Sequence, residues 1–512
     1  MAGTMAETQV LKGTRLRETL FQVERQQMTS LQAQIREMLV SAMLSGQMPA
    51  GSPIPSTRTM AKRLKVSRNT VMLAYQALAA DGYLQSRERS GFYVSEDVRR
   101  GALERAAAAG ERTESAGSTV DWDKRLRVAP ASQRNITKPA NWHEYPYPFI
   151  YGQADAALFP IAAWRDCTRQ AMNRKWMDAW TSDRYNDDDP MLIEQIHQRI
   201  LPRRGIMADK EQILVTLGAQ NALYMVASLL VKPQDRVAVE DPGYPDMRNI
   251  FAMKTKNVVP VPVDGEGIPV DERLNGCNLV FTTPSHQFPT NVTMSAERRR
   301  ALLAWAEDND GLIIEDDYEF ETNYLGEPTP ALKSRDREGR VIYVGSLSKS
   351  LMPGLRMGFI VAPRRLTDEL RALRRLMFRH PPGNNQRVVA LFLALGHHDA
   401  LINRLHKAYQ ARWQTMGSAL EEHFPGWAKW PGFGGTSFWV EGPPQLDTNK
   451  LQVDALDDGV VIESGQVFWA NPQAEENGRT NYFRLGFSSI PEERIAPGLE
   501  RLRELTDRQL RR

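Results

Sequence analysis

Lys349 follows Gly345, Ser346, Leu347 and Ser348, with Arg356 and Gly358 close behind, all directly after the apolar run Val341 to Val344. A lysine that forms an imine must be able to lose its proton beside a group that steadies the product. Two hydroxyls and a guanidinium nearby suit a phosphate. Alone, Ser-x-Ser-Lys is a surface turn, so this chemistry depends on partners elsewhere in the chain. Gly218, Ala219 and Gln220 follow the apolar run ending at Thr216 and open a helical stretch, which aims backbone N–H groups and a positive dipole end at an anion. Tyr244 stands on the turn Asp241, Pro242, Gly243, where its ring can stack on a flat cofactor. Asp316 and Tyr318 end the run Leu312 to Ile314, and a carboxylate there can keep a pyridine nitrogen protonated.

The elements that must position these groups are legible as short apolar runs alternating with helical stretches: 213–216, 236–239, 279–282, 312–315, 341–344 and 357–361. That alternation predicts an α/β domain with a largely parallel central sheet, which binds ligands at the carboxyl ends of its strands. The uncharged run Ile213 to Val231 approaches membrane-spanning length, but Thr216, Gly218, Gln220, Asn221 and Ser228 mark it as a strand end, a polar turn and a buried helix.

The 512 residues allow two to four domains, with 42% hydrophobic and 25% charged residues in the globular range. Cys167 and Cys277 are too few for a disulfide framework and lack zinc-ligand spacing, so no metal is expected. The first ten residues carry no secretory pattern, which leaves the cytoplasm as the expected location and no membrane partner. Charge is unevenly spread: Arg25 to Val94 holds nine Lys/Arg against three Asp/Glu, a surplus of six that leaves the rest of a +3 chain at −3. A basic end of this kind suits a polyanion.

That basic segment reads as a helix over Leu31 to Ala42 ending at Gly46, a helix capped by Ser56, and another capped by Ser67 with the apolar stripe Val71, Ala74, Tyr75 and Leu78. Two short helices and a tight turn make a helix-turn-helix, and Tyr83 to Val94 reads as a two-stranded wing about Arg87 to Gly91. The second helix of the pair begins Ser67, Arg68, Asn69, Thr70, side chains suited to base edges and phosphates, with Arg58, Lys62 and Lys65 upstream where the backbone would pass. The expected organisation is a DNA-binding domain over 25–97, a linker over 98–141 and the large domain over 142–512.

The segment Ile54 to Arg58, with Val66 to Val71 and Gly91 to Val94, resembles the winged helix of GntR-type regulators. The ordered set around Lys349 resembles fold-type I pyridoxal phosphate enzymes, the aspartate aminotransferase superfamily, over about residues 145 to 505. That resemblance implies a smaller C-terminal α+β subdomain, pyridoxal 5'-phosphate as cofactor, Lys349 as the Schiff-base lysine, Asp316 as pyridinium partner, Tyr318 on the phenolic oxygen and Tyr244 as the stacking ring. It further implies Gly218, Ala219, Gln220, Ser346, Ser348 and Arg356 as the phosphate cup, and Arg484 as the fork for an effector's acid group. Where aminotransferases carry Asn-Pro-Thr-Gly, this chain has His286, Gln287, Phe288, Pro289 and Thr290; Phe288 replaces the asparagine, and His286 is the candidate to share the cofactor contact.

Together the modules resemble the MocR regulators. This implies a homodimer on double-stranded operator DNA, sensing a small amino compound by imine exchange at Lys349, with no turnover required. Asp246 stands where the GABA-responsive type has an arginine, so an effector with extra neutral or positive polar character is expected, such as a diaminobutyrate or taurine. Two other readings stay open: a working aminotransferase with an accessory DNA-binding domain, and a DNA-binding protein whose large domain has lost its cofactor.

Overall fold

A computed structural model of the chain describes residues 29–87, 90–96, 120–150, 152–183, 186–326, 329–472 and 479–511. The chain divides into two units, Met1–Leu126 and Arg127–Arg512. Residues 25–28, Glu88, Arg89 and Asp97 of the expected DNA-binding domain, and 98–119 of the expected linker, lie outside the described residues.

In the first unit, helices α1 (Leu31–Leu44), α2 (Thr57–Leu64) and α3 (Arg68–Ala80) precede the antiparallel hairpin β1 (Leu84–Arg87) and β2 (Gly91–Val94). Each helix is started by a serine hydroxyl: Ser30, Ser56 and Ser67 accept from the backbone N–H three residues on, which satisfies donors the helix itself leaves open. Lys65 ends α2 in the left-handed region, φ 54°, and makes the tight turn into α3. Val71, Ala74, Tyr75 and Leu78 face inward onto Ile35, Leu39 and Met60. The Tyr75 hydroxyl donates to the Pro55 carbonyl at 2.8 Å, so the core residue of the third helix also fixes the entry to the second.

In the second unit, seven strands form one sheet: β3 (Ile213–Thr216), β4 (Arg236–Asp241), β5 (Asn257–Pro262), β6 (Leu279–Thr282), β7 (Leu312–Asp317), β8 (Val341–Ser346) and β9 (Gly358–Val361). The spatial order is β3-β9-β8-β7-β6-β4-β5. β9 runs antiparallel to both neighbours and the remaining pairs are parallel. Ile213 to Val231 is β3 followed by helix α4 (Gly218–Leu230), whose Ala222, Leu223, Val226 and Ala227 are fully buried against the sheet. Burial on both faces explains why these strands are continuous apolar runs and do not alternate.

The parallel arrangement gathers the ends of β3, β4, β6, β7 and β8 on one edge, and β9 begins there, with Gly358 opposite both Thr216 and Ser346. A smaller antiparallel sheet follows, β10 (Ser437–Glu441), β11 (Glu463–Ser464) and β12 (Tyr482–Gly486), with β12 in the middle. Helix α5 (His397–His423) precedes it. Of the expected linker, residues 133–136 lie on this unit: Arg134 donates to the carbonyls of Gln466, Trp469 and Ala470. No single described helix is long and apolar enough to cross a membrane.

Candidate functional site

At the carboxyl edge of the large sheet, a pocket is lined by Ala219, Gln220, Tyr244, Asp316, Tyr318, Ser346, Ser348, Lys349 and Arg356, together with Thr283, Phe288 and Pro353. Most of these groups lie on a strand end or on the segment that follows one, so the sheet sets their spacing.

The loop from β3 into α4 forms a cradle made of backbone. Gly218 has φ +79°, and a Cβ there would come within 2.9 Å of the Arg356 guanidinium; a Cβ on Gly358 would come within 2.9 Å of the Gly218 Cα. The two glycines therefore bring the N–H groups of α4, the Arg356 side chain and the start of β9 together. Arg356 is turned into the left-handed region, φ 51°, and donates to the Leu217 carbonyl at 3.3 Å. With Ser346 and Ser348 alongside, this end of the pocket is built for an anion.

At the other end stand two adjacent carboxylates with different surroundings. Asp317 is tied to Arg204 at 2.7 Å and to the Tyr343 hydroxyl at 2.9 Å. Asp316 points to the other face of the strand and lines the pocket, and its Oδ1 has no hydrogen-bond partner among the described residues. Burial, reinforced by the negative charge of Asp317, pushes the Asp316 carboxyl up to about 8. An orphaned buried carboxylate wants a cationic or protonated partner. A phosphorylated pyridine with its ring nitrogen at Asp316 and its phosphate at the glycine cradle meets both needs. Lys349 is half-buried between them, and desolvation brings its amine down to about 8.

The ring platform differs in detail from the sequence expectation. The Tyr244 hydroxyl donates to Asp246 Oδ2 at 3.1 Å and the Gln220 amide donates to the same oxygen at 2.9 Å. Asp246 is therefore engaged with two of the lining residues and faces a neighbouring pocket with Asn221, Asn249 and Arg356. His286 presents its carbonyl, which accepts from the Tyr318 hydroxyl at 3.0 Å, while its ring is buried outside the pocket lining. Burial holds that imidazole below its ordinary range, so it is neutral. Phe288 packs edge-on against Tyr244, Tyr318 and Phe468, at centroid distances of 5.4, 5.7 and 5.4 Å.

Arg484 lies with its guanidinium 4.3 Å from the Phe288 ring centre and 5.0 Å from that of Phe468. It is paired with Glu463 at 2.7 Å, across the register that sets Glu463 opposite Arg484. Both are almost fully buried. Glu463 is absent from the sequence reading, because only the β11–β12 register brings it to Arg484. Thr283 and Glu240 were missed for a similar reason. Glu240 accepts from the Thr282 and Thr283 hydroxyls and from the Gln287 amide, and this buried network holds the Thr283 and Phe288 wall.

On the first unit, Arg58, Lys62, Lys65, Ser67, Arg68 and Asn69 are exposed and Thr70 is half-buried, so the residues expected to meet DNA are open to solvent. The Ser67 hydroxyl caps α3 and contacts the Thr70 hydroxyl at 2.8 Å. Arg58 and Lys62 make no ion pair among the described residues, which leaves their charge for an external anion.

Residues 31–94 match the family of bacterial regulatory proteins of the gntR type, and residues 166–502 match aminotransferases of class I and II. The HTH-type transcriptional regulator TauR of Rhodobacter capsulatus is 44% identical over 473 residues, covering 92% of this chain and 96% of that protein. The probable rhizopine catabolism regulatory protein MocR of Rhizobium meliloti is 32% identical, covering 77% of this chain and 78% of its own length. Among solved structures, the α-aminoadipate aminotransferase LysN of Thermus thermophilus superposes with a TM-score of 0.68 at 26% identity, covering 77% of this chain and all (100%) of that one.

Proposed function

The chain belongs to the MocR-type transcriptional regulators of the GntR superfamily, and from that premise we propose that it senses a small amino compound bearing an acid group through pyridoxal 5'-phosphate held at Lys349. It answers, as a homodimer in the cytoplasm, by changing its grip on operator DNA. The observation that carries this reading is the convergence of Lys349 and the unpartnered Asp316 on a pocket whose far end is a cradle for an anion.

When bound, pyridoxal phosphate supplies an aldehyde carbon that can exchange one primary amine for another. The chain's residues do the rest. Gly218, Ala219, Ser346, Ser348 and Arg356 hold the phosphate, Asp316 holds the proton on the ring nitrogen, and Tyr244 stacks on the ring. Lys349, with its amine near 8, is partly uncharged at neutral pH and can act as the resident nucleophile. Asp246 fixes the tilt of Tyr244 through the hydroxyl, which makes it a positioning residue in this reading. The acid group of the effector goes to Arg484, in competition with Glu463. Glu463→Gln is therefore expected to bind taurine about tenfold more tightly, with methylamine binding unchanged; equal shifts for both amines would remove Glu463 from effector selection.

The test follows the visible spectrum and operator affinity together while the cofactor-loaded protein is titrated with taurine or 2,4-diaminobutyrate. Both signals are expected to share one midpoint, since only an amine that binds the two DNA-binding arrangements unequally can shift their balance. Constant operator affinity at a saturating amine concentration would reject the sensing role.

Reading of DNA has its own test. Arg68→Ala or Asn69→Ala is expected to cost about 1–3 kcal/mol at one base pair and to relax preference there. Lys62→Ala or Lys65→Ala is expected to weaken all sequences alike and to lower the salt slope by about one. Uniform, sequence-blind losses for all four variants would place α3 outside the groove.

A further inference from the structure

Lys349 borders two cavities. Besides the pocket already described, it lines a much smaller one, with room for about one water-sized group, shared with Glu319, Glu321, Ser350, Leu405 and Tyr409. Glu319 is 3% exposed. Its Oε1 accepts from the Thr436 hydroxyl, and its Oε2 is buried with no hydrogen-bond partner among the described residues. A buried carboxylate oxygen left open in this way is costly unless some state of the protein supplies a donor.

The exchange proposed above supplies one. The cofactor's aldehyde carbon gives up its bond to Nζ and takes a bond to the incoming nitrogen. The two protons lost by the incoming ammonium end on Nζ, so the lysine departs as an ammonium with three N–H groups. An ammonium inside the domain needs an anionic acceptor. Asp316 is assigned to the ring nitrogen and Glu463 is paired with Arg484 at 2.7 Å; Glu321 Oε1, 3.1 Å from the His398 ring, is also without a hydrogen-bond partner among the described residues, but Glu321 does not figure among the leading charges around Nζ. Glu319 keeps an open oxygen, and among the charges around Nζ it acts most strongly, ahead of Arg484, Glu463 and Asp316.

We propose that Glu319 receives the displaced Lys349 ammonium in the inner cavity, so that amine binding moves a positive charge from the cofactor pocket to the face of α5 that carries Leu405 and Tyr409. This rests on the reading of Lys349 as the cofactor lysine. Glu319 is then a positioning residue: it sets the exchange equilibrium without touching the effector. It also gives the exchange a mechanical consequence, since the arriving charge enters a cavity walled by a long helix of the domain.

The test needs no knowledge of the natural effector. Cofactor-loaded protein is equilibrated with methylamine and reduced with borohydride, and the fraction of Lys349 still carrying the reduced cofactor is counted by peptide mass. In Glu319→Gln the methylamine concentration that halves this fraction is expected to rise at least about tenfold, the equivalent of one pKa unit of lost charge interaction. Glu319→Asp, which keeps the charge, is expected to move it less than about threefold on the same scale. In cofactor-free protein the pH at which Lys349 reacts half-maximally with an acylating reagent is expected to fall by about one unit in Glu319→Gln. A Gln variant within twofold of wild type, or an Asp variant shifted as far as the Gln variant, would overturn the proposal. Absence of any label on wild-type Lys349 would overturn the reading beneath it.

Discussion

Lys349→Ala is expected to abolish the response of operator affinity to every amine, leaving a ratio of one between amine-saturated and amine-free protein. Affinity for the operator without amine should stay within about threefold of wild type, an effect below 1 kcal/mol. The two halves of this expectation rest on separate parts of the molecule. Arg58, Lys62, Arg68 and Asn69 belong to the first unit, whose core of Ile35, Leu39, Met60, Val71 and Tyr75 is complete in itself. Lys349 belongs to the second, half-buried just past the end of β8. The amine-bound and amine-free states differ, in this reading, by where Nζ and its charge reside. Without Nζ that difference is gone, and a ligand can shift an equilibrium only by its differential affinity for the two states. Phosphate, ring and Asp316 contacts remain, so the variant should still take up cofactor, now removable by dialysis and not fixed to the chain by borohydride. Fluorescence anisotropy on labelled operator, with and without taurine, reads the first effect; peptide mass after reduction reads the second. A persistent amine response in the alanine variant would separate sensing from Lys349.

What could be read from the sequence follows a physical division. Ser346, Ser348, Lys349 and Arg356 lie within eleven residues of one another, and Gly218 to Gln220, Tyr244 and Asp316 each lie at or just past the end of a strand of one largely parallel sheet. Such a sheet places all strand ends on one edge, so locating the strands was enough to bring these groups together. In the same way Ser30, Ser56 and Ser67 announce helix starts by chemistry that acts over three residues. Glu463, Glu319 and Glu240 obey no such rule. Glu463 reaches Arg484 through an antiparallel register, Glu319 reaches Lys349 from beyond the end of another strand, and Glu240 is recruited by Thr282, Thr283 and Gln287. Asp246 and His286 show the converse. Each has a side chain suited to ligand contact, but the backbone turns that of Asp246 toward Tyr244 and Gln220 and leaves that of His286 behind the wall. Type and spacing identify groups that could meet a ligand, whereas pairing of buried charges decides which of them are already committed.

Asp316→Asn should produce opposite effects in the loaded and cofactor-free protein, and this opposition identifies a carboxylate kept for a ligand. In the loaded protein the change removes the anion facing the ring nitrogen, and breaking a buried charge pair by deleting one member costs about 3–5 kcal/mol. Cofactor affinity should therefore fall at least about 100-fold, measured by equilibrium dialysis of pyridoxal phosphate. In the cofactor-free protein the same carboxylate is a liability. Its folded pKa, near 8 through burial and the charge of Asp317, lies above the unfolded value of 3.8. The folded state thus holds a proton that the unfolded state has released between those limits, and stability falls as pH rises through that window. Lys349 acts in the next window with the opposite sign: its folded amine near 8, against 10.5 unfolded, makes stability rise from pH 8 toward 10.5. Cofactor-free wild type should therefore show a dip in melting temperature near pH 8. Asp316→Asn should remove the acid-side limb and melt higher than wild type at pH 8, by an amount on the order of a few kcal/mol in stability. An asparagine variant that loses cofactor without gaining this alkaline stability would mean that Asp316 is satisfied by the protein itself, and the pocket would then lack its reason to hold a protonated ring.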